Sequence, residues 1–235
     1  MSVLLEQTEK SYNFDFNSAS IMSYSKMNNL SLLEQVAFVA RVSNPGNQSN
    51  HKTSEKLVSY LIKNQHWSPL EMVNICLEIN TTREISKQML RHRSFSFQEF
   101  SQRYAVVSED FVIKECRFQD FKNRQNSLEL TDSINDQKIS SRFIEMQEDL
   151  AKKEKEYYNF CIENNIAKEV ARCILSEGMT KTRLYMNGSI RSWLHYLKAR
   201  MDKSTQKEHR DIAIKIANEI ETIFPISKYL DYYTD

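Results

Sequence analysis

The sequence predicts one α+β domain spanning 1–235, a small and mostly antiparallel sheet packed by several helices, including a long one at about 138–164. Three observations predict it. Most periodic segments repeat apolar residues at helical spacing, while a few alternate as strands do. No internal repeat and no Gly/Ser/Pro-rich linker divides the chain. At 235 residues the chain is long enough to bury one sizeable core.

Each element has its own signal. LSLLEQVAFVARVSN (30–44) is helical in period and stops at Pro45-Gly46. TSEKLVSYLIKN (53–64) repeats the pattern, with Thr53 placed to cap and Leu57, Val58, Leu61 and Ile62 on one face. QHWSPLEM turns around Pro69, and 72–80 then alternates, with Val73, Ile75, Leu77 and Ile79 on one side, as a half-buried strand does. A helix over 82–92 carries Ile85, Met89 and Leu90, so 91–104 lies at its end and in the loop beyond. A short strand is expected around 110–116, and 117–137 is polar and aperiodic, a surface loop or insertion. The long helix at 138–164 presents Ile139, Phe143, Met146 and Leu150 either to an oligomer partner or to the core. A shorter helix at 166–176, a strand at 180–186, helices at 189–201 and 204–223 and an aromatic tail after Pro225 complete the chain.

Composition excludes several classes of function. Lys and Arg number 32 against 31 Asp and Glu, so broad sequence-blind binding to nucleic acid is not expected and any anion site must be local. No apolar run approaches the roughly 20 residues of a membrane helix. MSVLLEQTEK has neither the basic start nor the apolar centre of a signal peptide. Cys76, Cys116, Cys161 and Cys173 form no CxxC pair and read as buried, reduced thiols of a cytoplasmic protein, with no metal site. The only glycines are Gly46, Gly178 and Gly188, too few and too scattered for a Rossmann fingerprint or a P-loop. If a nucleotide binds, side chains must hold its phosphates.

RHRSFSFQEFSQRY (91–104) is the stretch with most chemistry. Arg91 and Arg93 could simply complement the negative end of a helix, worth about 0.3–1 kcal/mol each. Yet successive helical positions diverge by about 100°, so both guanidiniums serve one cavity, or two adjoining ones, only if the helix ends there. In an extended segment Glu99, Ser101 and Arg103 would share a side, a set matched to a ligand with donors, acceptors and a phosphate. Phe97, Phe100 and Tyr104 could instead stack bases, as in an RNA- or single-strand-binding module.

The spacing resembles the flavin-dependent thymidylate synthases, whose signature is RHR, seven residues, then Ser: here Arg91-His92-Arg93 and Ser101. The wider pattern RHR-x-x-S-x-N-E-x-S-x-R-Y is met at Ser96, Glu99, Ser101, Arg103 and Tyr104, with Gln98 in place of asparagine. ARVSN (40–44), His66-Trp67-Ser68-Pro69-Leu70-Glu71, EVAR (169–172) and RSWLHYLKAR (191–200) resemble further segments of that family in the same order, from about 30 to 225. Ser189 stands where many members have asparagine.

The resemblance implies conversion of dUMP to dTMP, with methylenetetrahydrofolate as one-carbon donor, NADPH as reductant and FAD as cofactor, in a homotetramer whose sites are shared between subunits. It assigns Ser43, His66, Ser68, Arg91, His92, Arg93, Glu99, Ser189 and His195 to FAD. To dUMP it assigns Gln88, Arg91, Glu99, Ser101, Arg103, Arg172 and Arg200. Arg200 is the candidate catalytic cation, drawing charge onto a pyrimidine carbonyl so that C5 becomes nucleophilic. Ser101 is the other candidate at the reacting atoms, better as a positioning hydroxyl than as a nucleophile because no base adjoins it. No cysteine sits beside Pro or His, as the nucleophile of the cysteine-dependent synthases does, which fits chemistry delegated to a cofactor. His51 and His209 lie outside the motifs and read as surface residues, and a member that binds flavin without turnover is a further alternative, resting on Gln98 and Ser189.

Overall fold

The alternating segments form the middle of the sheet. In a computed structural model that describes residues 12, 14–107 and 110–230, β1 (Ser18–Tyr24), β2 (Asn74–Thr82), β6 (Lys181–Ser189) and β3 (Ser96–Glu99) form one antiparallel sheet in the order β1-β2-β6-β3. Ile75, Leu77 and Ile79 of β2 and Leu184 and Met186 of β6 bury completely on one face, as a period of two requires. That face is covered by α1 (Leu32–Ala40), α2 (Ser54–Lys63), α6 (Ile190–Arg200) and α7 (Lys207–Glu221), whose Val36, Val58, Trp193, Leu197, Ile212 and Ile216 join one core. Trp193 spends its indole N–H on the Ile75 carbonyl at 3.1 Å, so a buried polar group is satisfied and α6 is pinned across β2.

α1 begins at a capping box: the Ser31 hydroxyl accepts from the Glu34 N–H, and the Glu34 carboxylate accepts from the Ser31 N–H. The helix ends at Ala40, short of the expected 44, and Pro45–Asn47 is a separate 3-10 turn. Thr53 sits at the N-terminus of α2 without capping it, because its Oγ1 accepts from Arg41 at 2.8 Å. Ser68–Met72 forms a 3-10 turn with Pro69 in its first positions, where a missing N–H costs nothing. α3 (Arg83–Met89) follows β2 directly.

Elsewhere the structure departs from the expectations. The strand at 110–116 reduces to one bridge between Phe111 and Thr180. The stretch 117–137 is not wholly irregular, since β4 (Phe118–Gln119) pairs with β5 (Ser127–Leu128) before the long helix α4 (Ile134–Glu163) starts at its Ser133 cap. The helix expected at 166–176 is α5 (Lys168–Ala171) continued by a 3-10 turn at Arg172–Ile174. Of the tail, α8 (Ser227–Leu230) packs Tyr229 against Phe224, and the remainder lies outside the described residues.

Among the described residues, α4 decides against one of the two alternatives left open above. Ile139, Phe143, Met146 and Leu150 are 41, 38, 55 and 47% exposed, so this face is not core packing within the chain. The helix is held by polar groups on its other side: Gln147 accepts from the Lys114 N–H, Glu154 from Ser176, and the Tyr158 hydroxyl from the Val107 N–H. Among the described residues no helix is long and apolar enough to cross a membrane.

Candidate active site

Three helix ends meet beside the 91–104 loop. α3 stops at Met89 because the chain turns through hydrogen bonds from Arg91 N–H to the Gln88 carbonyl and from His92 N–H to that of Met89. The turn directs His92 inward, against the Tyr196 ring at 4.9 Å between centroids, and leaves Arg91 and Arg93 exposed. Arg200, on the last turn of α6, donates Nε–H to His92 Nε2 at 2.9 Å. Burial and the Arg200 charge push His92 down to about 4, so it is the neutral acceptor this bond requires.

Behind them lies a buried histidine. His209, expected at the surface, is 0% exposed; its Nε2 meets the Tyr196 hydroxyl at 3.1 Å and its Nδ1 meets Gln88 Oε1 at 3.0 Å. Burial, with Arg200 and His92 nearby, holds it down to about 3, and burial raises the Tyr196 hydroxyl well above the usual phenol range. His209 was legible in one respect: with Ile212 and Ile216 it falls at i, i+3, i+7, the inward face of α7.

Neutral burial of both histidines has a sign. The unfolded chain takes up these protons near 6.5, the folded chain only near 4 and 3, so stability is full above 6.5 and falls on acidification through that window. We expect the unfolding free energy to fall steadily from pH 6.5 to 4.5, by up to about 1.4 kcal/mol per pH unit for each histidine, read as a falling urea midpoint. A midpoint flat across that range would refute neutral burial.

A second cluster faces the segment 66–71. Ser189 caps α6, accepting from the Ser192 N–H, and its hydroxyl donates to Glu71 Oε2 at 3.0 Å, while Arg191 donates to Oε1. Burial would raise the Glu71 carboxyl, but these hydrogen bonds outweigh it and hold it below the usual range. His195 packs on Trp67 at 4.7 Å, and Ser192 Oγ donates to the Ser94 carbonyl at 3.1 Å, tying α6 to the loop. Ser189 is buried with its hydroxyl committed, whereas His66 and Ser68 are exposed nearby in sequence. Ser43 lies apart, in a cavity of about 500 Å³ with Arg41, Asn47, Lys56 and Tyr60.

Glu99, Ser101 and Arg103 do not line one side of an extended strand. β3 ends at Glu99, and Ser101–Ala105 is a turn closed by N–H bonds from Tyr104 and Ala105 to the Ser101 carbonyl. Glu99 points back to Ser86 and Thr182 hydroxyls at 2.8 and 2.9 Å, with Arg83 at 3.5 Å. Ser101 Oγ accepts from the Arg103 N–H. Arg103 instead reaches Glu169 at 3.5 Å, whose backbone carbonyl accepts from Arg172 Nε. Two arginines far apart in sequence thus meet at one residue, Arg103 at its carboxylate and Arg172 at its backbone carbonyl. Cys116 and Cys161 are buried as expected, whereas Cys76 is only half-buried and Cys173 is exposed; burial raises the Cys76 and Cys116 thiols.

The donor set suits an anionic dinucleotide and a nucleotide phosphate. Arg91 and Arg93 have no side-chain partner among the described residues, and their planar forks match phosphate oxygens. No group of three His, Cys, Asp or Glu able to hold a metal occurs among those residues.

The family model described as "Thymidylate synthase complementing protein" matches residues 24–226. A probable flavin-dependent thymidylate synthase of Paramecium bursaria Chlorella virus 1 is 48% identical over 200 residues, covering 85% of this chain and 90% of that one. The flavin-dependent thymidylate synthase of Synechocystis sp. (strain ATCC 27184 / PCC 6803 / Kazusa) is 46% identical over 190 residues, 81% of this chain and 85% of its own. Among solved structures, the UMP/dUMP methylase PolB of Streptomyces cacaoi, bound with 5-Br dUMP, shares the fold: TM-score 0.76 at 23% identity, over 93% of this chain and 94% of that chain. The chain belongs to the flavin-dependent thymidylate synthase family.

Proposed function

We propose that the helix ends around Arg200, His92 and Gln88 form the dUMP end of the active site, and that Arg91 and Arg93 face FAD. The chain is an FAD-dependent thymidylate synthase that methylates dUMP with methylenetetrahydrofolate and NADPH. FAD, when bound, supplies the redox and one-carbon transfer chemistry. The single observation that carries the site is the Arg200–His92 pair: a cation held by a neutral acceptor keeps its charge for the ligand.

Each remaining residue then has a physical task. Arg200 offers its terminal N–H groups to a pyrimidine carbonyl and stabilises the charge that develops there as C5 attacks. Arg103 exchanges the exposed Glu169 carboxylate for the dUMP phosphate, and Arg172, held at the Glu169 backbone carbonyl, joins it there. Glu99, fixed by three donors, and the Ser101 hydroxyl at the head of the turn position the nucleotide. Ser43, His66, Ser68 and His195 line the flavin side, with Ser189 acting through Glu71 and Arg191.

Arg91, Arg93, Ser43 and His66 all lie exposed on one chain, and α4 turns an apolar stripe outward. A homotetramer that shares its sites between subunits would enclose both, in a cytoplasmic enzyme. The test is direct. Purified protein should show the visible bands of bound flavin and form dTMP from dUMP, methylenetetrahydrofolate and NADPH. Protein that stays colourless with added FAD would sink this reading and favour an RNA-binding module.

A further inference from the structure

Around Gln88 the hydrogen bonds can be given a direction, starting from a carboxylate that can only accept. Glu208 is 6% exposed and takes Arg117 Nη2 at 2.7 Å; burial would raise its carboxyl, but the Arg117 bond holds it ionised. Gln206 meets Glu208 Oε2 at 3.0 Å, so it must present its amide nitrogen there, and its oxygen faces Gln88. Gln88 therefore turns its nitrogen to Gln206 Oε1, at 2.7 Å, and its oxygen to His209. His209 must then carry its proton on Nδ1, leaving Nε2 to accept from the Tyr196 hydroxyl. Every donor meets an acceptor in only one sense.

We propose that Glu208, Gln206 and His209 are positioning residues that fix which way the Gln88 carboxamide faces, so that its second N–H is held ready for an oxygen of the bound nucleotide. This rests on the reading that Gln88 contacts dUMP. Without the chain the amide could present either end, and half of its orientations would set oxygen against oxygen. None of the three residues needs to touch substrate: Glu208 is buried in its ion pair and His209 is wholly enclosed.

The experiment is a double-mutant cycle on the flavin-loaded enzyme, read as the dissociation constant for dUMP. Gln206→Met, at a half-buried position, should weaken dUMP binding about tenfold in the parent and by less than about twofold when Gln88 is already alanine. His209→Phe, which keeps the ring and loses both hydrogen bonds, should behave the same way, and either variant suffices if the other fails to fold. Equal losses in both backgrounds would mark a general structural role and overturn the proposal, as would unchanged binding in Gln206→Met. If Gln88→Ala itself leaves dUMP affinity intact, the placement of Gln88 at the substrate falls and this inference falls with it. If the parent enzyme binds flavin but not dUMP, the functional reading fails first.

Discussion

Arg200→Ala should retain flavin yet lose dUMP-dependent oxidation of the reduced cofactor, by about 10²–10³-fold, the usual cost of removing one donor from a developing oxyanion. The geometry supports so large a loss. Arg200 is held at Nε by His92 at 2.9 Å, and that acceptor is neutral because burial disfavours its charged form and protonation would also set two cations against each other. The side chain therefore arrives already oriented, and little reorganisation is needed when charge moves onto the pyrimidine oxygen. Arg200→Lys keeps a charge but not the fork, and should recover only a small part of the rate. Flavin lies on the Arg91–Arg93 side of the loop by this reading, so its absorbance should not change. Anaerobic mixing of reduced enzyme with dUMP and methylenetetrahydrofolate, followed in the flavin band, measures the step. An unchanged rate would remove Arg200 from the chemistry.

The parts legible in the sequence are those where one physical signal dominates. β2 alternates because it is central and buried on one face only, so its period is written in Ile75, Leu77 and Ile79. β3 was not legible because Ser96–Glu99 is an edge strand with a single neighbour, and so carries a weak pattern. The turn at Ser101–Ala105 contains no Gly or Pro to announce it, which is why Glu99, Ser101 and Arg103 looked like one face of a strand. Family resemblance points to Arg200, His92 and Gln88, but not to what joins them. His209 and Gln206 reach Gln88 from more than a hundred residues away, and only packing α7 against α3 and α6 reveals it. Packing alone likewise reveals Glu169 beside Arg103, and Glu71 beneath Ser189 and Arg191.

Gly188→Ala should be the most damaging single methyl in the protein. Gly188 lies in β6 opposite Ile75, with ordinary extended backbone, so its requirement is steric and not conformational. A Cβ there would fall 2.4 and 2.5 Å from Phe95 Cδ1 and Cε1, far inside van der Waals contact. Phe95 cannot simply step aside. Its ring is closed in by Trp193 at 4.7 Å, Tyr196 at 5.9 Å and Phe97 at 6.1 Å, rings that also support His92 and α6. Overpacking of this kind costs about 1–3 kcal/mol, and the upper end is expected because Gly188 lies within β6 and the buried Phe95 ring is closed in by three other rings. For a chain of this size that lowers Tm by roughly 5–10 °C. The functional loss should be larger than the stability loss suggests. Phe95 is the anchor that follows Arg91–Ser94, so pushing it outward unseats the Ser192–Ser94 bond and carries both guanidiniums from their places. Flavin affinity should fall at least about tenfold, in proportion to the lost preorganisation of the fork. The control is a rescue: in a Phe95→Leu background, whose smaller side chain vacates the ring edge, Gly188→Ala should cost much less than in the parent. If Gly188→Ala instead melts and binds FAD like the parent, Phe95 does not anchor the arginine loop, and the link from sheet packing to flavin binding is broken.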